Sequence, residues 1–340
     1  MSTAVVILNY NGKSFLEQFL PSVIQFSQGA DIVIADNQST DDSLAFLANH
    51  YPAIKVIVNP ANGGFATGYN QALQQVKADT YVLLNSDIEV TENWLGPCLD
   101  LLNSDDAIAA VQPKILAYKN KTMFEHAGAA GGYLDLHYYP FCRGRLFEVV
   151  EEDQGQYDAN AEVFWATGAC LFIKADLYHQ MGGLDDDFFA HMEEIDLCWR
   201  LKKAGHKIMY AYQSKVYHVG GGTLNYMNPR KTYLNFRNSL FMIAKNHEKQ
   251  LLYKLFVRLV IDGVAAGLFL VKGQFKHFIA VFRAHISVYR HWSKLMSKRK
   301  TVKALSINYN STGLYQKSIV SQKFIKGFKT FSQLKPSDFL

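Results

Sequence analysis

Cysteine is scarce in this 340-residue chain. Its four cysteines, Cys98, Cys142, Cys170 and Cys198, lie far apart and form no Cys-x-x-Cys pair. That spacing excludes a disulfide framework and a cysteine-rich zinc module, and it suits a reducing compartment. No basic segment precedes the short apolar run at the N-terminus, so no signal peptide is expected. In the C-terminal part, the stretch between Asp262 and Lys272 holds only nine uncharged residues, against roughly 20 for a membrane-spanning helix. Acidic residues nearly vanish from the last third: residues 229–340 hold 3 Asp/Glu against 21 Lys/Arg, whereas residues 1–228 hold 27 against 14. The net charge of +5 therefore hides an acidic working part joined to a basic surface that meets something anionic. Nucleic acid and anionic lipid both fit on charge alone.

The composition, 49% hydrophobic and 19% charged, is that of a folded globular chain and excludes disorder. The first third alternates short β-branched runs with amphipathic segments. Strands are predicted at 4–8, 32–35, 55–58 and 81–84, and helices at 14–26, 42–49 and 68–76. That alternation predicts βαβ units and a parallel sheet covered on both faces. Ligands of such sheets sit beyond the carboxyl ends of the strands. The segments there, 9–12, 36–41, 59–68 and 85–87, are all rich in Asn, Asp or Gly and poor in hydrophobes. Residues 107–165, with many glycines and aromatics, read as loops and hairpins facing an acceptor. Beyond them come a strand at 168–175, a helix near 194–204 closed by Gly205, and strand-like runs at 207–212 and 215–219.

Asp87, in Asn85-Ser86-Asp87, ends an apolar strand, where a carboxylate can hold Mg²⁺ or Mn²⁺. Asp36 also sits at a strand terminus, where a carboxylate accepts hydrogen bonds from a base N–H or a ribose hydroxyl. Thr40 and Asp41 behind it read as helix N-caps. Asn62–Asn70 lacks both Gly-x-Gly-x-x-Gly and the Lys-Ser/Thr of a phosphate loop, which removes support for a dinucleotide-binding or P-loop enzyme. Its glycines still let backbone amides approach an anion. Glu193, Glu194 and Asp196 place three acids within four residues at a helix start. Negative charge is favoured there, and Asp196 is spaced to pair with Arg200. His218 ends the last strand before the glycine run 220–222, at a place where it could share a metal with Asp87.

The basic part predicts amphipathic helices. Leu251, Leu252, Leu255, Phe256, Leu259 and Val260 form one stripe; Phe278, Phe282, Ile286 and Tyr289 form another, with Lys276, Arg283 and Arg290 spaced by seven. Basic helices with large apolar residues suit the surface of an anionic leaflet; a helical subdomain with solvated lysines is the plainer reading. Nucleic acid is not expected as a partner, because the charges accompany aliphatic stripes instead of stacking platforms.

In this order, VVILNYNG (5–12), DNQSTDDS (36–43), NGGFATGYN (62–70), LNSD (84–87), GACLFIKA (168–175), EEIDLCWR (193–200) and His218 resemble an inverting glycosyltransferase of family 2. The subgroup most resembled contains bacterial rhamnosyltransferase-like enzymes of cell-surface polysaccharide synthesis. The resemblance implies an α/β GT-A fold, a mostly parallel sheet flanked by helices, over residues 1–228. A basic amphipathic helical region at 229–300, associated with membrane, and a basic tail at 301–340 would follow. It implies a donor site for a nucleotide-diphosphate sugar, dTDP-rhamnose or a UDP-sugar, at Asn9, Tyr10, Asn11, Asp36, Asn37, Asn62, Gly64, Asn70 and Asn85. It implies a divalent metal, Mg²⁺ or Mn²⁺, on Asp87 with help from His218, and catalysis by Glu194, the general base, beside Glu193. Asn85 replaces the first aspartate of the family's Asp-x-Asp motif. The acceptor would be a saccharide or lipid-linked saccharide, and the location cytoplasmic, peripheral on the cytoplasmic face of the inner membrane. A non-catalytic nucleotide-sugar-binding scaffold at the membrane is the alternative.

Overall fold

The computed structural model describes residues 1–220 and 228–340. Strands β1 (Thr3–Asn9), β2 (Asp31–Asp36), β3 (Lys55–Val58) and β4 (Thr80–Asn85) pair in parallel, in the spatial order β3-β2-β1-β4. Short β5 (Ile88–Val90) and long β6 (Ile108–Ala117) follow. Strands β7 (Gly132–Leu134), β8 (Pro140–Cys142), β9 (Arg145–Leu146) and β10 (Val149–Val150) form a separate antiparallel sheet of four. Strands β11 (Ala161–Val163), β12 (Cys170–Lys174) and β13 (Lys207–His218) return to the large sheet. There β12 runs antiparallel between β4 and β6, and β13 runs parallel to β6. The result is a mixed sheet, mostly parallel, with its principal strands ending at one edge.

Side chains alternate across that sheet, and each face acquires its own core. Val5, Ile7, Val82 and Leu84 face helices α1 (Lys13–Phe26), α2 (Ser43–His50) and, further on, α4 (Gly96–Asn103). Ala4, Val6, Val33 and Leu83 face α3 (Gly64–Leu73) and the later α5 (Ala175–Gln180) and α6 (Glu193–Lys203). Both faces of β1 and β4 are dry, which is why these strands read as continuous apolar runs instead of alternating ones.

Three local outcomes differ from the sequence reading. Helix α3 begins four residues earlier than its periodicity predicts, because the Asn62 side chain accepts a hydrogen bond from the Gly64 amide (3.0 Å) and starts the turn. Strand β6 lies inside the stretch predicted as loops. It is disguised by Gln112 and Lys114, both fully buried. Lys114 is neutralised by Asp153 (2.7 Å) and Asp158 (2.5 Å), and the Gln112 side-chain oxygen accepts from the Thr167 amide (2.9 Å). The runs at 207–212 and 215–219 form one strand with a register irregularity between Ala211 and Lys215.

Beyond residue 228 come α7 (Pro229–Asn246), α8 (Leu251–Val271), α9 (Phe275–Arg290), α10 (Trp292–Ala304) and α11 (Ile319–Phe324). Residues 305–340 fold back over the small sheet. The Tyr315 amide donates to Leu134 O (2.8 Å), and Tyr315, Phe331 and Phe339 pack against Tyr133 and Phe141. Helix α7 docks on α6 through charge. Asp196 pairs with Arg200 as its i,i+4 spacing predicts (Nε–Oδ2 3.0 Å), and it also accepts from Lys245 Nζ (3.0 Å) and Asn246 Nδ2 (2.7 Å). All four side chains are buried. Removing one member of a buried ionic network strands the others, a loss of about 3–5 kcal/mol. Asp196→Ala is therefore expected to lower stability by about that amount, read as an earlier urea midpoint with an unchanged slope.

Candidate functional site

The carboxyl ends of β1, β2 and β4 lie side by side, with Asn9 opposite Asp36 and Leu8 opposite Asn85. Beyond them opens a cavity of about 830 Å³. Its floor is Leu8, Asn85 and Gly168; one wall is Tyr10, Asn11, Gly12 and Phe15, and another is Asn62, Gly64 and Phe65. The small sheet contributes Tyr139, Pro140 and Arg145, and the C-terminal helices contribute Thr232, Asn235, Phe236, Ser239 and Arg258.

Asp87, Glu193, Glu194 and His218 all line this one cavity. Asp87 is carried just past β4, and β13 delivers His218 beside it by pairing antiparallel with β5, His218 opposite Ile88. His218 Nε2 lies 3.2 Å from Asp87 Oδ1, and Nδ1 lies 3.2 Å from Glu125 Oε2. Burial alone would push this imidazole down, but the two carboxylates outweigh burial and raise it to about 10. Glu125, buried in its turn, is itself held below the usual carboxylate range: His218 and the Ala127 amide overcome the opposing effect of burial. Sequence reasoning passed over Glu125, because it sits in the glycine- and aromatic-rich stretch after β6. Its only signal there was an acid and a histidine adjacent in Phe124-Glu125-His126. Gly221 and Gly222 of the glycine run lie outside the described residues.

Glu193 and Glu194 occupy the first turn of α6 and are held differently. Glu193 is buried, and burial together with the neighbouring Glu194 charge pushes it well above the usual range. Glu194 is half-buried and faces the cavity; burial pushes it up to about 7, against backbone N–H groups at the helix start and at Gly168 that pull it down. Burial thus raises both carboxyls, and Glu193 has the neighbouring charge added to it, a difference of environment of the kind on which acid–base roles depend.

Four of the residues assigned to a donor site do not face the cavity. Asp36 has no exposed surface; its oxygens accept from the Ser39 amide (2.7 Å), the Ser39 hydroxyl (2.7 Å) and Asn9 Nδ2 (2.9 Å). Asn37 donates to Gly64 O (2.9 Å) and accepts from Asn59 (2.7 Å). Asn70 ties α3 to the loop at Leu184 and Asp186 (2.8 Å each). Asn9, Asp36, Asn37 and Asn70 thus hold the loops that carry Tyr10, Asn11, Asn62, Gly64 and Asn85, which do line the cavity. Gly64 is required where it stands. Its φ is +83°, and a Cβ there would collide with the Phe189 carbonyl.

Among the described residues, no cluster of three or more His, Cys, Asp or Glu side chains forms a metal cage. Asp87 nevertheless fits a divalent ion whose remaining ligands are diphosphate oxygens and water, the usual mode for Mg²⁺ and Mn²⁺; His218, a cation between two carboxylates in this structure, would join it as a ligand only by giving up its Nε2 proton.

Known proteins agree with this architecture. The N-acetylglucosaminyl-diphospho-decaprenol L-rhamnosyltransferase of Mycobacterium tuberculosis is 25% identical over 231 residues, 63% of this chain and 75% of that protein. The structure of GalNAc-T7 with UDP, GalNAc and Mn²⁺ superposes with a TM-score of 0.56 at 18% identity, over 72% of this chain and 48% of that one. The mannosyltransferase PcManGT from Pyrobaculum calidifontis, in complex with GDP-Man and Mn²⁺, gives 0.52 at 13% identity, over 89% and 85%. Both neighbours are GT-A glycosyltransferases, and the mixed sheet described above is their fold. Residues 4–157 match the family described as glycosyl transferase family 2.

Proposed function

We propose that this protein transfers a sugar from a nucleotide-diphosphate donor, dTDP-rhamnose or a UDP-sugar, to a hydroxyl of a saccharide or lipid-linked saccharide, with inversion, in cell-surface polysaccharide synthesis. The observation that carries the reading is the convergence of Asp87 and Glu194 on one cavity at the carboxyl edge of the sheet. The similar mycobacterial enzyme is named for a rhamnosyl transfer onto a diphospho-lipid-linked sugar.

The chemistry follows from the side chains. The acceptor oxygen attacks the anomeric carbon as its proton passes to a Glu194 carboxylate oxygen. The bond from that carbon to the diphosphate breaks on the opposite face, and the nucleoside diphosphate leaves with the electron pair. A positioned base contributes about 10²–10⁴-fold. Glu193, whose carboxyl burial and the Glu194 charge push upward, lies beside the base in the same first turn of α6. Asp87 and His218 would hold the divalent ion, which supplies charge stabilisation to the departing diphosphate. Tyr10, Asn11, Asn62, Gly64 and Asn85 would contact the donor, with Asn9, Asp36, Asn37 and Asn70 holding their loops.

The acceptor's route is proposed from the far wall. Helix α8 turns Arg258 toward the cavity, with its guanidinium stacked 3.5 Å from the Tyr139 ring centroid and paired with Asp262. Its opposite side leaves Leu252, Phe256, Val260, Val264 and Leu268 in the open, each more than half exposed. Helix α9 adds Phe275, Ile279 and Phe282 in the same state, flanked by exposed Lys272, Lys276, Arg283 and Arg290. Asp262, the only acid between residues 249 and 337, is buried. No helix among the described residues is long and apolar enough to cross a membrane. An apolar face this large, rimmed by cations and free of exposed acids, suits the surface of an anionic leaflet, here the cytoplasmic face of the inner membrane.

Glu194→Gln is expected to bind dTDP-rhamnose as the parent does and to lose transfer by about 10²-fold or more; near-parental turnover would refute the base assignment. Because the Glu194 carboxyl is raised to about 7, its basic form fills as pH rises. A kcat–pH profile should therefore climb through about pH 7 and flatten above it; a flat profile from pH 5 to 8 would count against it. The parent protein should co-sediment with phosphatidylglycerol-containing vesicles at low salt, and Phe256→Glu with Phe282→Glu should abolish that; equal sedimentation of parent and variant would remove the membrane face. Mass spectrometry of products from dTDP-rhamnose, UDP-glucose and UDP-N-acetylglucosamine, with Mg²⁺, Mn²⁺ or chelator, identifies the donor and the metal.

A further inference from the structure

The loop that leads into the Glu193–Glu194 turn is strained. Phe189, His191 and Met192 have φ of +62°, +71° and +75°, left-handed values that non-glycine residues adopt only when the surroundings impose them. Nothing within the loop imposes them. Its few internal bonds, such as Phe188 N to Asp185 O (3.0 Å) and Ala190 N to Phe188 O (2.7 Å), leave most of its carbonyls turned outward.

Three of those carbonyls meet one side chain. Asn238, in the middle of α7 and fully buried, directs its Nδ2 at Phe188 O (2.9 Å), Ala190 O (2.9 Å) and His191 O (2.7 Å). Its own Oδ1 accepts from Arg237 Nε (2.8 Å), and Arg237 donates in turn to Asp187 O (2.7 Å) and Phe188 O (3.1 Å). Asparagine is a poor choice for a helix interior, and a buried amide is costly unless it is satisfied. Both costs are met here by a single structure, the turn that presents Glu194. The loop's remaining exit, Phe189 O, accepts from the Phe65 amide (2.6 Å) beside Gly64, so the same backbone also sets one wall of the cavity.

We infer that Asn238 is a positioning residue: its side-chain amide, delivered from the basic helical region, holds the backbone of 188–192 in the conformation that aims Glu194 at the acceptor hydroxyl. The inference rests on the reading of Glu194 as the base. Asn238 touches neither reactant and acts through the loop.

The test uses the full chain with dTDP-rhamnose, Mn²⁺ and an N-acetylglucosaminyl-diphospho-lipid acceptor, and compares Asn238→Ala, Asn238→Gln and Leu240→Ala. Leu240 is buried in the core beside Asn238 on the same helix and controls for loss of stability alone. Misplacing a catalytic group by about 1 Å costs on the order of 10²-fold, so Asn238→Ala should lose about that factor in kcat while its donor KM stays within about twofold. Asn238→Gln, which keeps the amide but displaces it by one methylene and should fold if the alanine variant does not, should lose about tenfold. Leu240→Ala should keep the parental kcat wherever it is folded. Amide hydrogen exchange, which needs no substrate, should accelerate at residues 189–194 in both Asn238 variants and not in Leu240→Ala. Parental kcat in the Asn238 variants, a loss confined to donor KM, equal losses in Leu240→Ala, or unchanged exchange at 189–194 would each overturn the inference. Should Glu194→Gln remain active while 189–194 loosen as expected, the base assignment fails and the loop-holding role of Asn238 stands.

Discussion

Four acids, Asp185, Asp186, Asp187 and Asp196, surround the entrance to α6 in a part of the chain already rich in negative charge. Burying Asp185 and Asp196 there demands cations, because an unpaired carboxylate in such a place loses its hydration without return. The C-terminal helices provide them. Lys245 of α7 bridges Asp185 and Asp196, Lys298 of α10 bridges Asp185 and Asp187, and Lys294 reaches Asp187 at 2.5 Å. Lys245 and Lys298 hold the Asp185 carboxyl well below the usual carboxylate range, despite the opposing effect of burial. The turn that presents the two glutamates depends on this clamp, because the clamp fixes the loop leading into α6.

The clamp changes how the charge asymmetry of the chain is understood. Part of the positive charge beyond residue 228 is internal: it neutralises the acidic loop and never meets a partner. Among the cations left in the open are Lys272, just past α8, and Lys276, Arg283 and Arg290 of α9, beside the exposed apolar residues. One helical layer thus has two sides of different character. Lys245, Asn238 and Arg258 face inward to the loop and the cavity, while Phe256, Val260 and Phe282 face outward.

The two glutamates show why identity along the chain says less than environment. Adjacent and chemically the same, both line the cavity, but they differ in depth: Glu193 is buried and Glu194 keeps part of its surface open. A similar division separates Asp36 from Asp87. Both end apolar strands of the same sheet, yet Asp36 has its oxygens taken by Ser39 and Asn9 while Asp87 faces the open volume beside His218.

The amino-acid order was enough to establish the parallel core, since β1 to β4 are local apolar runs whose burial on both faces leaves a compositional mark, and α6 with its Asp196–Arg200 pair follows from i,i+4 spacing. It also marked Asp87 and His218, because strand ends of such sheets are where polar residues gather, and Glu194, because three acids crowd one helix start. It left β6 hidden, because Gln112 and Lys114 are tolerable in a buried strand only once Thr167, Asp153 and Asp158 arrive from distant segments. Glu125 beside His218, Asn238 beneath the glutamate loop and Arg258 in the cavity wall were likewise decided by tertiary structure alone. Each acts on groups tens of residues away or more, and a contact at that separation has no period, spacing or local propensity through which to announce itself.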